Sequence, residues 1–403
     1  MKKKRASDWI SVGKYLAFAF LLGYLISFII YQGYWYPTFK GVQAIAWFYW
    51  PIGLIVVFFI TLTLHELGHL LAFVFQGIKI RALYVFVFVF YRSTKGIRFK
   101  FQPKLWYLIG GFVVPDLPII RDDITYLKVV RKFARSLMTA PIVTIMFMIL
   151  VDLSLIIAIY RQLHSNILGW LFMLALFTTL ISLIYIKTFS LSNQSFYGDF
   201  VAFHKIKEDH VFQIIQIIQY QQFRLTDDAE SSFYLHQKLT NIIEKTQLNT
   251  SLFHQIMLMQ YIEHIIFDHL PNDKNVEVKI QHYPKNHLYR SLEGLILLYD
   301  LAAYHYFLGD VDKAYQIIEM NAKKANQTID EKQRYYLALK FKHMLHYEYH
   351  EDELTHTTNI SLGKEDLFDA ILDLETLRKA AHEPLPFREW SCLIPTRDDA
   401  IEK

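Results

Sequence analysis

The string His65-Glu66-Leu67-Gly68-His69 contains the residues best suited to chemistry in this sequence. Two histidines four residues apart lie on one face of a helix, close enough together to bind one zinc ion. The glutamate after the first histidine is placed to act as general base on a water activated by that zinc. Two histidines leave a catalytic zinc one protein ligand short of the usual three, so another residue must supply the third.

The string lies inside an apolar run from about Trp50 to about Gln76, which is long enough to cross a bilayer as a helix. Ionisable side chains are costly at membrane depth, and those that occur there commonly serve a function. The alternative is a pair of core histidines whose ring nitrogens are satisfied by hydrogen bonds. The run therefore predicts a metal site embedded in a membrane helix.

The two halves of the 403-residue chain differ in composition. Apolar residues dominate up to about residue 190, and polar residues are frequent after about residue 200. The length allows a membrane domain at 1–204 and a cytoplasmic helical domain at 205–403 with a core of its own. The single cysteine, Cys392, excludes an internal disulfide and a cysteine-based zinc site. Loops beside a lipid bilayer account for the net charge of +4, and no nucleic acid is expected as a partner.

Four apolar runs predict four transmembrane helices, at about 15–31, 50–76, 137–160 and 167–187. The first run is too long for a signal-peptide core and no small-residue cleavage site follows it, so we interpret it as a helix that is retained. Basic residues are concentrated before the first run and between the second and third. We therefore expect a multi-pass protein of the cell membrane, with both termini and the 77–136 segment in the cytoplasm.

The segment after the zinc motif has a strand pattern. Ile78–Tyr91 is rich in β-branched and aromatic residues, a turn follows at Ser93–Gly96, and Ile97–Gln102 alternates between apolar and polar residues. This predicts a β-hairpin of unusual hydrophobicity. Because unpaired strand edges are not tolerated in lipid, the hairpin must lie against helices or in a watery cavity, where one edge can receive a substrate strand. An interfacial hairpin with no role in binding is the alternative.

Few side chains are available as the third zinc ligand. Asp199 follows the fourth predicted span and returns to the side of the zinc motif, so we expect it to complete the site. An interfacial carboxylate or a helix cap is the alternative for Asp199. Other candidates lie at the wrong depth or in a polar cytoplasmic stretch: Asp152, His164, Asp116, Asp122 and Asp123.

With these motifs the chain resembles the site-2 protease family of intramembrane zinc metalloproteases, over about residues 45–205. That family carries H-E-x-x-H on one core helix and an aspartate, often within an N-x-x-P…D-G pattern, on a helix two spans later. The residues of the first motif are all present here. Asn193 and Asp199 occupy the places of the asparagine and the aspartate of the second motif. The proline of that motif is missing, and Gly198 precedes the aspartate instead of following it. Ala140–Thr144 loosely resembles the G-P-x-x-N signature of the middle core helix, and a membrane-associated hairpin is also a family trait.

The resemblance implies hydrolysis of membrane-embedded or membrane-tethered peptides. In that mechanism zinc (Zn2+) is held by His65, His69 and Asp199, and Glu66 takes a proton from water and later delivers it to the leaving amine. A transmembrane substrate helix must unwind first, and the 78–102 hairpin is a candidate to hold it. Three polar residues are candidates for hydrogen bonds to the substrate backbone or oxyanion, with a plain helix break as the alternative: Asn193, Gln194 and Ser195.

The second half of the chain has helical periodicity throughout. Leu295–Ala325 resembles a tetratricopeptide unit, with a tight turn at Gly309-Asp310. Such units need neighbours, and we expect them in the helices predicted at about 228–246, 250–268, 330–349 and 364–380. The predicted domain binds a protein partner or screens access to the site, and an ordinary helical bundle is the alternative. A second metal site at the histidines of one helical face is less favoured than simple solvation: His343, His346 and His350.

The predicted fold is mainly α: a polytopic membrane protein of about four transmembrane helices with a membrane-associated β-hairpin, followed by a soluble all-α helical-repeat domain. The predicted function is that of an intramembrane zinc metalloprotease. The alternative is a non-proteolytic membrane adaptor or scaffold that acts through its cytoplasmic helical domain. The intact Glu66 argues against the adaptor, because a relic of an enzyme tends to lose its base.

Overall fold

The computed structural model describes residues 31, 33, 35–93, 96–103, 110–193, 197–221, 223–224, 229–325 and 331–345. The described part of the chain is mainly helical, with one small antiparallel sheet. It forms two compact units, one within Met1–His65 and Pro141–Thr188, the other within Glu66–Ala140 and Phe189–Lys403. Several predictions lie outside the described residues: the first transmembrane helix at 15–31, the helix at 364–380, and the roles of Gln194, Ser195, His346 and His350.

Among the residues that the structure describes, three helices are long and apolar enough to cross a membrane. A short helix α1, Trp35–Ala44, precedes α2, Tyr49–Phe75, and the other two are α3, Asp123–Tyr160, and α4, Ser165–Phe189. At about 1.5 Å per residue the three long helices measure about 40, 57 and 37 Å, whereas the hydrocarbon core is about 30 Å thick. The second and fourth predicted spans are confirmed as helices at nearly the predicted bounds.

Helix α3 begins well before the predicted third span. The Asp122 carboxylate accepts the backbone N–H of Thr125 at 2.7 Å, which caps the helix start in the polar stretch. The apolar run that predicted the span is only the later part of this helix, because hydropathy detects the lipid-facing segment and not its polar extension.

Close backbone packing joins α1 to α4 within the first unit. A Cβ built on Gly41 would lie 2.9 Å from the backbone N of Gly169, closer than real side chains come. Only glycine therefore permits this approach, as at other small-residue crossings of membrane helices. Trp35 of α1 also meets Phe172 of α4 edge to face, with ring centroids 5.4 Å apart.

Within the described residues the sheet has four antiparallel strands, in the order β3-β2-β1-β4. They are β1, Lys79–Val85; β2, Phe88–Ser93; β3, Gly96–Phe101; and β4, Gly111–Asp116. The predicted hairpin is confirmed for β2 and β3, which pair down to Ser93 opposite Gly96. The segment 78–91, however, is two strands and not one, because the chain reverses at Phe86, whose φ is 58°. Sequence rules place glycine or asparagine at such a position, so a phenylalanine gave no turn signal.

The two faces of the sheet differ in exposure, as the alternation of side chains along strands requires. One face packs into a small core that includes Phe223, which follows the membrane half in sequence. The members of this core from the sheet are Ala82, Tyr84, Val89, Tyr91 and Val114. The opposite face of the hairpin is aromatic and exposed: Phe88, Phe90, Phe99 and Phe101.

Nine further helical segments follow, and they confirm the predicted helical character of the second half within the described residues. They are α5, Asp199–Glu208; α6, His210–Gln221; α7, Ala229–Lys245; α8, Leu252–Ile266; α9, Lys274–Gln281; a 3₁₀ helix, Lys285–Arg290; α10, Leu292–Phe307; α11, Val311–Ala325; and α12, Glu331–Met344.

Helix α10 is central to the second unit, and almost every residue along it is buried. The turn from α10 to α11 passes through Gly309 at φ +85°, a conformation that glycine adopts without strain. On α10, Asp300 is fully buried and lies 3.4 Å from the Lys340 ammonium of α12, which ties these two helices together. The helical hairpin is as predicted, and its assignment to a tetratricopeptide repeat stays a prediction.

Candidate metal centre

Helix α2 carries the two histidines and the glutamate of the motif. His65 is 6% exposed and Glu66 is 5% exposed, so both side chains are buried despite their polarity. An apolar helix satisfies its own backbone hydrogen bonds and can therefore present such groups at membrane depth. The spacing of four residues places His65 and His69 on the same side of α2.

The His65 ring is held by contacts from two other helices of its unit. Its Nδ1 lies 3.1 Å from the hydroxyl of Thr144 on α3. Its ring stacks on Tyr185 of α4, with centroids 5.9 Å apart and planes 4° from parallel. With Nδ1 engaged by the hydroxyl, Nε2 is the nitrogen available to a metal.

The His69 ring is oriented by α3 in a way that defines its tautomer. Its Nδ1 lies 3.0 Å from the backbone carbonyl of Ser136. A carbonyl oxygen only accepts, so Nδ1 donates and Nε2 presents its lone pair. The Ser136 hydroxyl donates in turn to the His69 carbonyl at 3.2 Å, which doubles the link between the two helices. Such a hydrogen bond from the second ring nitrogen is what orients histidines that bind metals.

Asp199, the first residue of α5, reaches the same place. Its Oδ2 lies 3.5 Å from Nε2 of His69. One ligand atom from each of His65, His69 and Asp199 lies within 4.8 Å of the other two, and no other such group of three is found among the described residues. Ligand atoms in a tetrahedral zinc site are about 3.3–3.6 Å apart, given bonds of about 2.0–2.2 Å. The donor types and the His69–Asp199 spacing therefore fit zinc.

Gly111, at the start of β4, lies against the Glu66 carboxyl group. A Cβ built on Gly111 would lie 2.6 Å from Glu66 Oε1, so no other residue fits there without displacing the glutamate. Sequence reasoning missed this residue. The available signal was the pair Gly110-Gly111 within an apolar stretch, because a glycine inside a strand often marks a close approach.

Two of the other candidate ligands, Asp152 and Asp123, are engaged elsewhere. Asp152 accepts from the Thr179 hydroxyl at 3.0 and 3.1 Å inside the membrane helices. Asp123 accepts from the Tyr234 hydroxyl at 2.7 Å and pairs with Lys238. Asn193 is exposed, and its predicted role toward substrate stays a prediction.

In the described part of the chain, three helices could cross a membrane and a His-His-Asp group lies beside a buried glutamate. These features define the class: a membrane protein with a candidate metallopeptidase centre. The family model of peptidase family M50 matches residues 53–331, which is more than half of the chain. The chain therefore belongs to peptidase family M50, the site-2 protease family, whose members are typically zinc-dependent. No curated protein and no solved structure gives a significant match.

Proposed function

We propose that this protein is an intramembrane zinc metalloprotease that hydrolyses peptide bonds of membrane-embedded or membrane-tethered peptides. The observation that carries the proposal is the grouping of His65, His69 and Asp199 beside the buried Glu66, on and around an apolar helix. Membership of peptidase family M50 supports the same chemistry.

Each of these residues has a distinct task in the proposed mechanism. His65, His69 and Asp199 hold the metal, and the hydrogen bonds that the two histidine rings make with Thr144 and with the Ser136 carbonyl keep the rings in position. Zinc bound there supplies Lewis-acid activation of water and of the scissile carbonyl. Glu66 removes a proton from the attacking water and passes it to the leaving amine.

The substrate must reach this site as an extended strand, because the amides of a helix are shielded by its own turns. Strand β4 lies at one edge of the described sheet, and its first residue, Gly111, touches the general base. We infer that an unwound peptide pairs with this edge, since strand addition recognises a backbone irrespective of its side chains. In the sequence, the 78–102 hairpin was the candidate to bind the substrate strand. The proposed edge is β4, on the side of the sheet opposite to the hairpin strand β3.

The membrane orientation follows from the basic residues, and both termini are proposed to be cytoplasmic. The cytoplasmic helical domain, including the tetratricopeptide-like pair α10 and α11, is proposed to bind a protein partner or to screen what enters. A cysteine at position 164 should react with an impermeant reagent added to intact cells, whereas one at position 313 should not. External labelling at position 313 would overturn this orientation.

The test of the proteolytic function uses the full chain purified in detergent. Wild-type protein should bind about one zinc per chain, as a single three-ligand site requires, and should cleave the unfolded protein β-casein. Glu66→Gln should keep the zinc and lose cleavage, whereas Glu293→Gln, an exposed glutamate in the first turn of α10, is the matched control and should keep both. Full zinc binding by a His65→Ala/His69→Ala variant would refute the site. A wild-type protein that binds zinc and never cleaves would favour the adaptor.

A further inference from the structure

Asp199 is the one residue of the His-His-Asp group that does not lie on α2. It is the first residue of α5, and the first backbone N–H groups of a helix have no partners inside that helix. The preceding residue, Gly198, has no side chain that could cap this end. The Gly198 N–H donates to the carbonyl of Leu191 at 2.9 Å, which closes a short loop after α4. Helix ends fray, so a metal ligand at this position needs a further anchor.

Tyr197, two residues before Asp199, is held by aromatic rings from two helices of the second unit. Its ring stacks on Phe253 of α8, with centroids 4.7 Å apart and planes 26° from parallel. It also meets Phe212 of α6 edge to face, with centroids 5.2 Å apart. Phe212 and Phe253 contact each other as well, at 5.5 Å. These three rings, which we call the aromatic triad, therefore each contact the other two.

The aromatic triad is part of the main core of the second unit. Phe212 is buried, and Tyr197 and Phe253 are half-buried against the same core. Most residues of α8 are buried in that core, so Phe253 has little freedom to move. Ring pairs with centroids about 4.5–7 Å apart are favourable beyond the area that they bury. The Tyr197 ring is therefore fixed to two helices that follow α5 in the chain.

A separate aromatic contact holds the residue after Asp199. Phe200 meets Phe189, the last residue of α4, edge to face with centroids 5.7 Å apart. Asp199 therefore lies between two anchored neighbours, one held by the end of α4 and the other by α6 and α8. Its Oδ2 is 3.5 Å from Nε2 of His69. Because a functional site must hold its groups to within about 0.5 Å, a shift of either neighbour would disturb this pair of ligands.

We propose that Tyr197 is a positioning residue for the metal centre, and that its ring, held by Phe212 and Phe253, fixes the Asp199 carboxylate beside the histidines. This inference rests on the part of the proposed function that makes Asp199 a metal ligand. Helix α8 then takes part in metal binding without supplying a ligand. A protein partner that binds the helical domain and shifts the start of α8 would change the zinc affinity of the enzyme, and with it the activity.

The experiment measures zinc affinity of the full chain in detergent, by competition with a chelator, together with Tm. Tyr197→Ala removes the ring and should weaken zinc binding by about 10- to 100-fold, as does the loss of other residues that orient a metal ligand. Tyr197→Phe keeps the ring and should restore the wild-type affinity, because the triad requires the ring and not the hydroxyl. Phe307→Ala is the matched control: Phe307 is a half-buried aromatic of α10 on the same core, and its loss should lower Tm and leave zinc affinity unchanged.

A double-mutant comparison separates positioning of the ligand from a general loss of structure. In an Asp199→Ala background, Tyr197→Ala should change the remaining zinc affinity by less than about twofold, because the ring acts only through the carboxylate. Should Tyr197→Ala fail to fold, Phe253→Leu tests the same contact from α8. That variant keeps an apolar side chain in the core, and it should weaken zinc binding by about 2- to 10-fold, the equivalent of one aromatic pair.

Two results would overturn the inference while the proposed function stands, provided that wild type binds zinc and cleaves β-casein. In the first, Tyr197→Ala, or Phe253→Leu in its place, binds zinc as tightly as wild type. In the second, Tyr197→Ala weakens zinc binding equally with and without the Asp199 carboxylate, in which case the ring is only structural. A wild-type protein that binds zinc without cleaving would refute the proteolytic function, and the affinities would still decide the role of Tyr197. A wild-type protein that binds no zinc would refute both.

Discussion

Replacement of Gly111 by alanine should displace the general base without disturbing the metal ligands. The new Cβ would lie 2.6 Å from Glu66 Oε1, whereas ordinary contact begins at 3.4 Å. The Cγ and the carboxyl carbon of Glu66 would lie closer still, so the Glu66 side chain or strand β4 must move by more than about 0.8 Å, the difference between these two distances. The neighbour is a buried side chain, so the movement has little room.

The size of the effect follows from the sensitivity of proton transfer to geometry. A misplacement of about 1 Å in a catalytic group costs about 10²-fold in rate, so we expect Gly111→Ala to lower kcat by about 10- to 100-fold, or about 1.4–2.7 kcal/mol. Crowding a packed site also costs about 1–3 kcal/mol of folding stability. Zinc content should stay at the wild-type level, because the crowded group is Glu66 and not one of the three ligands.

The assay measures three quantities on the full chain: zinc per chain, kcat on β-casein, and the free energy of unfolding. Gly309→Ala is the matched control, because a Cβ at φ +85° strains the backbone but meets nothing within 4 Å. That variant should lose stability and keep kcat. If Gly111→Ala retains wild-type kcat, the glutamate is not confined by β4. If Gly111→Ala loses zinc, the expectation that the substitution displaces Glu66 and leaves the three metal ligands in place is wrong.

Two further predictions concern the support of the site and the second unit. Thr144→Val should weaken zinc binding by about 10- to 100-fold, because it removes the hydrogen bond that orients His65. The control is Thr139→Val, which removes a hydroxyl that is bonded within its own helix. Equal zinc affinities of the two variants would contradict the role of Thr144 in orienting His65. Burial and the nearby charge of Lys313 lower the pKa of His305 from 6.5 to about 4, so folding favours its neutral form. The contribution of His305 to the free energy of unfolding should be fully present above about pH 6.5 and should decline as the pH falls toward about 4. His305→Gln should therefore flatten a plot of Tm against pH over that window. An unchanged plot would contradict this role of His305.

The short-range features of this protein were readable in its sequence. The H-E-x-x-H string predicts two ligands and a base because helical periodicity alone places residues four apart on one face. The apolar runs predict α2 and α4 because a bilayer demands a certain length of apolar helix, a property of consecutive residues. The match to peptidase family M50 confirms the family that these motifs indicated. The β2–β3 hairpin was also predictable, since its turn carries Gly96 and its strands alternate.

Long-range features depended on packing that local patterns do not encode. No turn residue in the sequence indicates that 78–91 divides into two strands. No alternation of apolar and polar residues indicates that β4 pairs with β1. Asp199 was chosen by topology alone, and only the folded chain brings its Oδ2 to 3.5 Å from His69. Gly111 comes from a strand that is distant in sequence from α2, yet it lies against Glu66. A single sequence records neighbours along the chain, whereas contacts across it are decided by how apolar surfaces pack together when the whole chain folds.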